Sequence, residues 1–352
     1  MTSRPDQFEA IQLDPIRAAQ AAQLRYVTDD EPGISRRRFG KGFAYYLPGG
    51  KKLTRRPQIQ RVKSLAVPPA YKDVWICIDD RGHLQATGRD AAGRKQYRYH
   101  DRWAEVRDAA KFAGLVAFAE KLPTLRRRVR KDLKLKGLPR DKVLAACVRL
   151  LDRTLIRIGN ADYAKRNDSF GLTTLRDEHA TFDGKTVRFD FTGKHGIERE
   201  LEVRDGRLAR IVKACQELPG QELLQYQNDR GDVIDVGSTD VNAYLHDIAG
   251  DAITAKDFRT WHGTVAATAK LAKTETAETK TAINRQIVAV IDDVAELLGN
   301  TRAVARNSYV HPGVIACFEE GRLAEAVEKA DAVRELTQAE SQTLHVLRTR
   351  QP

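Results

Sequence analysis

No stretch of this 352-residue chain approaches the roughly 18 consecutive apolar residues that a membrane-crossing helix requires. The first twenty residues carry scattered charges and no apolar run, so no signal peptide is expected. Cysteine is scarce. Cys77, Cys147, Cys215 and Cys317 stand far apart without a CxxC pair, which argues against a zinc site and a disulfide framework and for a reducing cytoplasm. There is no Walker A loop, Rossmann glycine fingerprint or HExxH motif. No run of carboxylates marks a two-metal site, and no internal repeat or low-complexity linker interrupts the chain. No cofactor or metal is expected.

What is present is positive charge. Lys and Arg number 60 against 48 Asp and Glu, a formal net charge of +12, while 41% hydrophobic residues suffice for a folded core. The excess is uneven. Arg36-Arg37-Arg38, Lys51-Lys52, Arg55-Arg56, Arg94-Lys95 and the run from Arg126 to Lys136 all fall in the first 136 residues. Such clustering favours a polyanionic partner.

The texture of the chain changes twice. Residues 1–35 read as a polar, helix-capable lead-in. From 37 to 99, short runs alternate with Gly and Pro punctuation, and 74–78 and 83–87 read as strands around a turn at 79–82. After residue 101 the pattern is helical. Val143, Cys147, Leu150 and Leu151 share one helix face, with that helix expected to end near Arg157. Residues 172–204 alternate around Asp183-Gly184 and Thr192-Gly193, a small antiparallel sheet. Helical periodicity resumes at 208–218, 239–248, 255–271 and 282–298. The expected class is α+β: a small, mainly antiparallel-β N-terminal domain over 1–104 and a larger, mostly helical domain over 105–352 with an inserted hairpin sheet.

Four short segments join basic residues to glycines or a tyrosine: 155–159 (LIRIG), 191–195 (FTGKH), 256–260 (KDFRT) and 299–309, which starts Gly-Asn and ends Ser-Tyr. With 167–175 (NDSFGLTTL), their order and spacing resemble the catalytic landmarks of type IB DNA topoisomerases, the small bacterial and poxviral class. Residues 67–75 (VPPAYKDVW) and 83–99 are similar to the N-terminal DNA-clamp domain of that family. The resemblance implies an enzyme that relaxes supercoiled duplex DNA through a transient 3′-phosphotyrosine, without ATP or essential metal, as a monomer clamped around DNA. It places Arg157, Lys194, Arg259 and Tyr309 on the family's catalytic positions. Asn300 stands where poxviral and eukaryotic members carry histidine. It can donate a hydrogen bond to phosphate but supplies neither a proton nor a positive charge.

The chemistry supports that assignment on its own terms. A phenol attacking a phosphodiester keeps the phosphate as an ester, so bond energy is conserved. Arg157 and Arg259 suit the non-bridging oxygens, because guanidinium stays charged and forks onto phosphate. Lys194, at a hairpin tip, can protonate the departing 5′-oxygen. Pro312 suits the first turn of a helix after Tyr309, which would place the tyrosine between two short helices. Asn300, beside Gly299, also suits a helix C-cap. Arg94 and Lys95 are expected at phosphates, Gln96 and Tyr97 near base edges, and Tyr99 and His195 along the DNA. Two alternatives remain: a tyrosine recombinase, against which Lys256-x-x-Arg259 stands in place of His-x-x-Arg, and a non-catalytic DNA-binding protein.

Overall fold

The computed structural model describes residues 14–350, without the side chains of 107–111, 113 and 195. The chain divides into two compact units, residues 1–114 and 115–352.

In the first unit, α1 (Pro15–Ala21) is capped by the Asp14 carboxylate, which accepts from the amides of Ile16 and Arg17. Five antiparallel strands follow: β1 (Ile34–Phe39), β2 (Gly42–Tyr46), β3 (Lys72–Ile76), β4 (Leu84–Arg89) and β5 (Lys95–Tyr99). They lie in the order β2-β1-β3-β4-β5, with α2 (Arg56–Ser64) between β2 and β3 in sequence. Val74 and Ile76 pack with Val62 of α2 on one face. Trp75 and Cys77 pack with Val27 and Leu84 on the other. Burial on both faces explains the apolar run over 74–77, whereas Ile78 at its end is exposed.

Helix α3 (Asp101–Asp132) contains the division between the units and continues through Pro123. An interior proline removes a backbone bond, but Leu122, Leu125 and Val129 are buried around it and hold the helix in place.

The second unit begins with α4 (Arg140–Thr154) and α5 (Ala161–Asn167), followed by an antiparallel sheet of β6 (Ala180–Asp183), β7 (Thr186–Gly193) and β8 (Ile197–Arg204). Helix α6 (Gly206–Gln216) and a short hairpin, β9 (Gln225–Gln227) with β10 (Val233–Asp235), lead into the helical bulk. That consists of α7 (Ser238–Ala249), α8 (Ala255–Leu271), α9 (Lys280–Leu298), α10 (Arg302–Tyr309), α11 (Pro312–Glu319), α12 (Leu323–Glu328) and α13 (Gln338–Arg348). The architecture is α+β, as the sequence implies.

One helix end differs from expectation. α4 stops at Thr154, because Leu155 turns left-handed at φ 56° and its amide closes on Leu151. Arg157 therefore lies in a loop. A leucine in that conformation gives no signal of the kind a glycine would. Among the described residues, no helix is long and apolar enough to cross a membrane.

Candidate active site

The C-terminus of α9 organises the site. A helix ends with four carbonyls lacking intrahelical partners. Here Gly299 adopts the left-handed conformation at φ 59°, its amide donates to Glu296, and the Asn300 amide donates to Ala295. This Schellman closure satisfies two carbonyls. The next three are taken by three different arginines. Arg199 Nη2 donates to Leu297 O at 3.4 Å, Arg259 Nη2 to Leu298 O at 2.7 Å, and Arg157 Nη2 to Gly299 O at 3.2 Å. Cations at this end also meet the negative pole of the helix.

Each arginine reaches the helix end from a different element. Arg259 lies in the second turn of α8, whose start is fixed by the Asp257 carboxylate accepting from Thr254 N at 2.8 Å and Thr254 Oγ1 at 2.9 Å. Only 4% of Arg259 is exposed, and it also donates to Leu155 O, so it ties the 155–160 loop to α9. Arg157 is held by its own loop. Its carbonyl accepts from Leu172 N at 2.8 Å, and Ile158 O accepts from Thr173 N at 2.8 Å. The two segments lie so close that a Cβ on Gly171 would meet Arg157 O and Gly159 Cα at 2.7 Å. The glycines of those two motifs therefore serve Arg157.

Tyr309 ends α10, with its ring 5.2 Å from the guanidinium carbon of Arg259. Its backbone is pinned from α8, where Thr264 Oγ1 lies 3.2 Å from Tyr309 O and accepts from His311 N at 3.2 Å. His311 caps α11 by accepting from Gly313 N at 2.9 Å, and Pro312 opens that helix. Asn300 accepts from Arg157 Nη2 through Oδ1. Because arginine only donates, this fixes the amide orientation and turns Nδ2 elsewhere. Among the described residues, neither Asn300 Nδ2 nor Arg259 Nε has an acceptor, though both are buried.

The cluster is electrostatically costly. Burial, then the charge of Arg157, pushes Arg259 down to about 10, against the stabilising influence of Tyr309. Burial also lowers Arg157 and Arg199. The Arg259 shift corresponds to about 3 kcal/mol against its charged form, yet Arg259 stays protonated at neutral pH. Arg157 and Arg259, with the two unsatisfied buried donors, make a ready anion site. Charge-assisted bonds to phosphate, each worth about 1.5–3 kcal/mol, would offset the cost.

Behind Arg259, α8 is fixed by a buried ionic network. Arg126 donates to Asp152 at 2.9 and 3.0 Å and to Glu340 at 2.7 and 2.9 Å, and His262 Nε2 lies 2.9 Å from Asp152 Oδ1. Burial alone would raise Asp152, but the His262 and Arg126 hydrogen bonds outweigh it and hold the carboxyl well below its usual range. The ligand atoms of Asp152, His262 and Glu340 converge within 4.8 Å, a spacing compatible with a metal. The Arg126 guanidinium already serves both carboxylates, so it is the cation of this cluster.

Arg157, Arg259, Asn300 and Tyr309 thus converge. Lys194 instead stands exposed on the turn between β7 and β8, outside the buried cluster. The side chain of His195 lies outside the described residues. In the first unit, β5 is an edge strand, and its residues divide by face. Lys95 bonds Asp29 at 2.6 Å, and Tyr97 and Tyr99, 51% and 43% exposed, stack with centroids 6.1 Å apart. Gln96 points to the opposite face, where it donates to Asp90 Oδ2 at 2.9 Å, and Arg94 donates to the same oxygen at 2.8 Å. Sequence reasoning missed Arg199. Its signal was an arginine in the alternating series Arg199, Leu201, Val203 of β8, which pairs with Phe191, Phe189 and Val187 of β7.

A small antiparallel unit and a helical unit with a three-stranded insert thus accompany a tyrosine ring set against a buried arginine at a helix end. The chain belongs to the DNA topoisomerase I family. Residues 100–335 match the family model "Eukaryotic DNA topoisomerase I, catalytic core", and 42–90 match "Bacterial DNA topoisomerase IB, N-terminal domain". It is 28% identical over 285 residues to DNA topoisomerase 1B of Acanthamoeba polyphaga mimivirus, covering 79% of this chain and 85% of the relative. Identity to DNA topoisomerase 1B of vaccinia virus (strain Copenhagen) is 21% over 262 residues, 74% and 79% of the two chains. DNA topoisomerase 1 of Schizosaccharomyces pombe is 31% identical over 154 residues, which cover 42% of this chain and 18% of the relative. The protein is a type IB DNA topoisomerase.

Proposed function

We propose that Tyr309 attacks a DNA phosphodiester, forming a 3′-phosphotyrosine and releasing a 5′-hydroxyl, and that the reverse step reseals the strand after rotation. Arg157 and Arg259 neutralise the non-bridging oxygens as charge gathers there. Asn300 donates Nδ2 to one of them, and Lys194 protonates the departing 5′-oxygen from the hairpin tip. The observation that carries this reading is the Tyr309 ring 5.2 Å from Arg259, beside two further arginines on the same helix end. The ester conserves the bond energy, so neither ATP nor an essential metal is assigned a role.

In the same reading, residues 1–104 form a DNA clamp and 105–352 the catalytic domain, a monomer closing on duplex DNA in the cytoplasm at the nucleoid. Arg94 and Lys95 exchange their aspartates for phosphates. Gln96, Tyr97, Tyr99 and His195 also contact DNA, with Gln96 and Tyr97 doing so from different faces of the strand.

The test is relaxation of supercoiled plasmid in EDTA without ATP, beside Tyr309→Phe. Wild type should relax the plasmid and leave a denaturant-resistant protein–DNA adduct, while the variant should do neither. Relaxation by Tyr309→Phe would remove the tyrosine from the mechanism.

A further inference from the structure

We infer that Arg199 is a positioning residue, a strut that holds the turn carrying Lys194 at a fixed distance from the C-terminus of α9. The inference rests on the proposed role of Lys194 as proton donor. Arg199 lies between two glycines. A Cβ on Gly193, the residue before Lys194, would meet Arg199 Cγ at 3.1 Å. A Cβ on Gly299, the residue before Asn300, would collide with Arg199 Nη1. The aliphatic stem therefore packs on the backbone of the hairpin turn, and the guanidinium packs on the backbone beside Asn300. The head also donates to Leu297 O at 3.4 Å.

The local sheet makes this possible. Arg199 pairs with Phe191 across the last ladder rungs, two residues before Gly193. From there the strand continues to Ile197, which pairs with Gly193 and closes the turn. A short exposed hairpin tip has few contacts of its own, so an exposed lysine on it samples many positions. A side chain spanning from that tip to a helix end restricts them. Arginine suits the span because its planar head meets a helix C-terminus favourably while its stem covers apolar backbone. Arg199 is thus assigned to placing Lys194, whereas Arg157 and Arg259 face the phosphate.

The step it would serve is balanced as follows. The Tyr309 hydroxyl gives its proton to solvent, its oxygen–phosphorus bond forms and the phosphorus–O5′ bond breaks. The electron pair passes to O5′, which takes a proton from the Lys194 ammonium, and the neutral amine is reprotonated by solvent. A duplex whose scissile O5′ is replaced by sulfur separates the roles. A thiol titrates near ~8.5, so the thiolate leaves without a proton donor, whereas an alkoxide does not.

Single-turnover cleavage of oxygen and sulfur substrates by the full chain tests the proposal. Lys194→Ala should slow the oxygen substrate by about 10²–10⁴-fold and leave the sulfur substrate near wild type. Arg199→Ala should slow the oxygen substrate by about 10²-fold, the usual effect of a misplaced group, and should likewise be rescued by sulfur. Arg199→Lys, which keeps a stem and a charge, should fall between. Equal slowing of both substrates by Arg199→Ala would overturn the inference, because loss of phosphate contact or of folding acts regardless of leaving group. Unimpaired oxygen cleavage by Arg199→Ala would overturn it too. Failure of sulfur to rescue Lys194→Ala would instead remove the proton-donor reading beneath it.

Discussion

Gly263 lies so close to Tyr309 that a Cβ added to it would meet the Tyr309 carbonyl oxygen at 2.7 Å and the Tyr309 Cβ at 3.2 Å. Helix α8 therefore delivers Arg259 and, one turn later, the bare backbone on which the tyrosine rests. Gly263→Ala is expected to displace Tyr309 and slow cleavage by about 10²-fold with DNA affinity little changed. Single-turnover cleavage alongside filter binding measures both. Wild-type cleavage by this variant would show that the close packing does not place the tyrosine.

Asn300 presents a buried amide nitrogen without an acceptor among the described residues, while its oxygen is held by Arg157. Asn300→Ala should lower the cleavage rate by about 10²-fold, the usual effect of removing one donor from a transition-state oxyanion. Asn300→Asp should be worse, since it loses the donor and adds a charge that repels phosphate. An aspartate variant as fast as wild type would exclude donation from Nδ2.

Lys95 is paired with Asp29, whose carboxylate also accepts from Thr87 Oγ1 at 2.9 Å. If Lys95 moves to a phosphate, Asp29→Asn should tighten DNA binding at low salt by freeing it, with a salt slope steeper by up to about one counterion. The gain should vanish in a Lys95→Ala background, the signature of coupling between the two residues. A gain that persists there would assign the effect to general repulsion.

His311 caps α11 through Nδ1, and burial pushes its pKa from the ordinary 6.5 down to about 4. The unfolded chain therefore binds a proton on His311 that the folded protein refuses between those values. Stability from this group is full above pH 6.5 and falls by roughly 3 kcal/mol as pH drops through that window. Urea midpoints measured from pH 7.5 to 4 should show a shallower acid decline for His311→Asn, which retains a capping oxygen. Parallel declines would place the acid sensitivity elsewhere.

The sequence announced the parts of the site that carry their own markers. Arg157 and Asn300 each stand near a glycine that takes a left-handed backbone, Gly159 at φ 96° and Gly299 at φ 59°. Tyr309 was marked by the proline opening the next helix. What stayed hidden depends on pairs far apart in the chain. Arg199 reads as an ordinary strand arginine until α9, about a hundred residues later, arrives against it. Gly263 reads as a weak point in a helix, because its use lies in the backbone of Tyr309. The split of Gln96 from Tyr97 follows from strand periodicity, which the motif as a whole obscured. Helix α4 ends early at a left-handed leucine, a conformation set by tertiary bonds rather than by residue type.

The three carbonyls at the end of α9 give the site a ruler. Leu297, Leu298 and Gly299 offer consecutive oxygens, so the spacing of Arg199, Arg259 and Arg157 is set by peptide geometry rather than by flexible side chains. Residue identity in the last turn of α9 can drift, but residue number cannot. Inserting or deleting one residue between Ala295 and Leu297 would rotate every acceptor by about 100°, and the three guanidiniums would lose their common register at once.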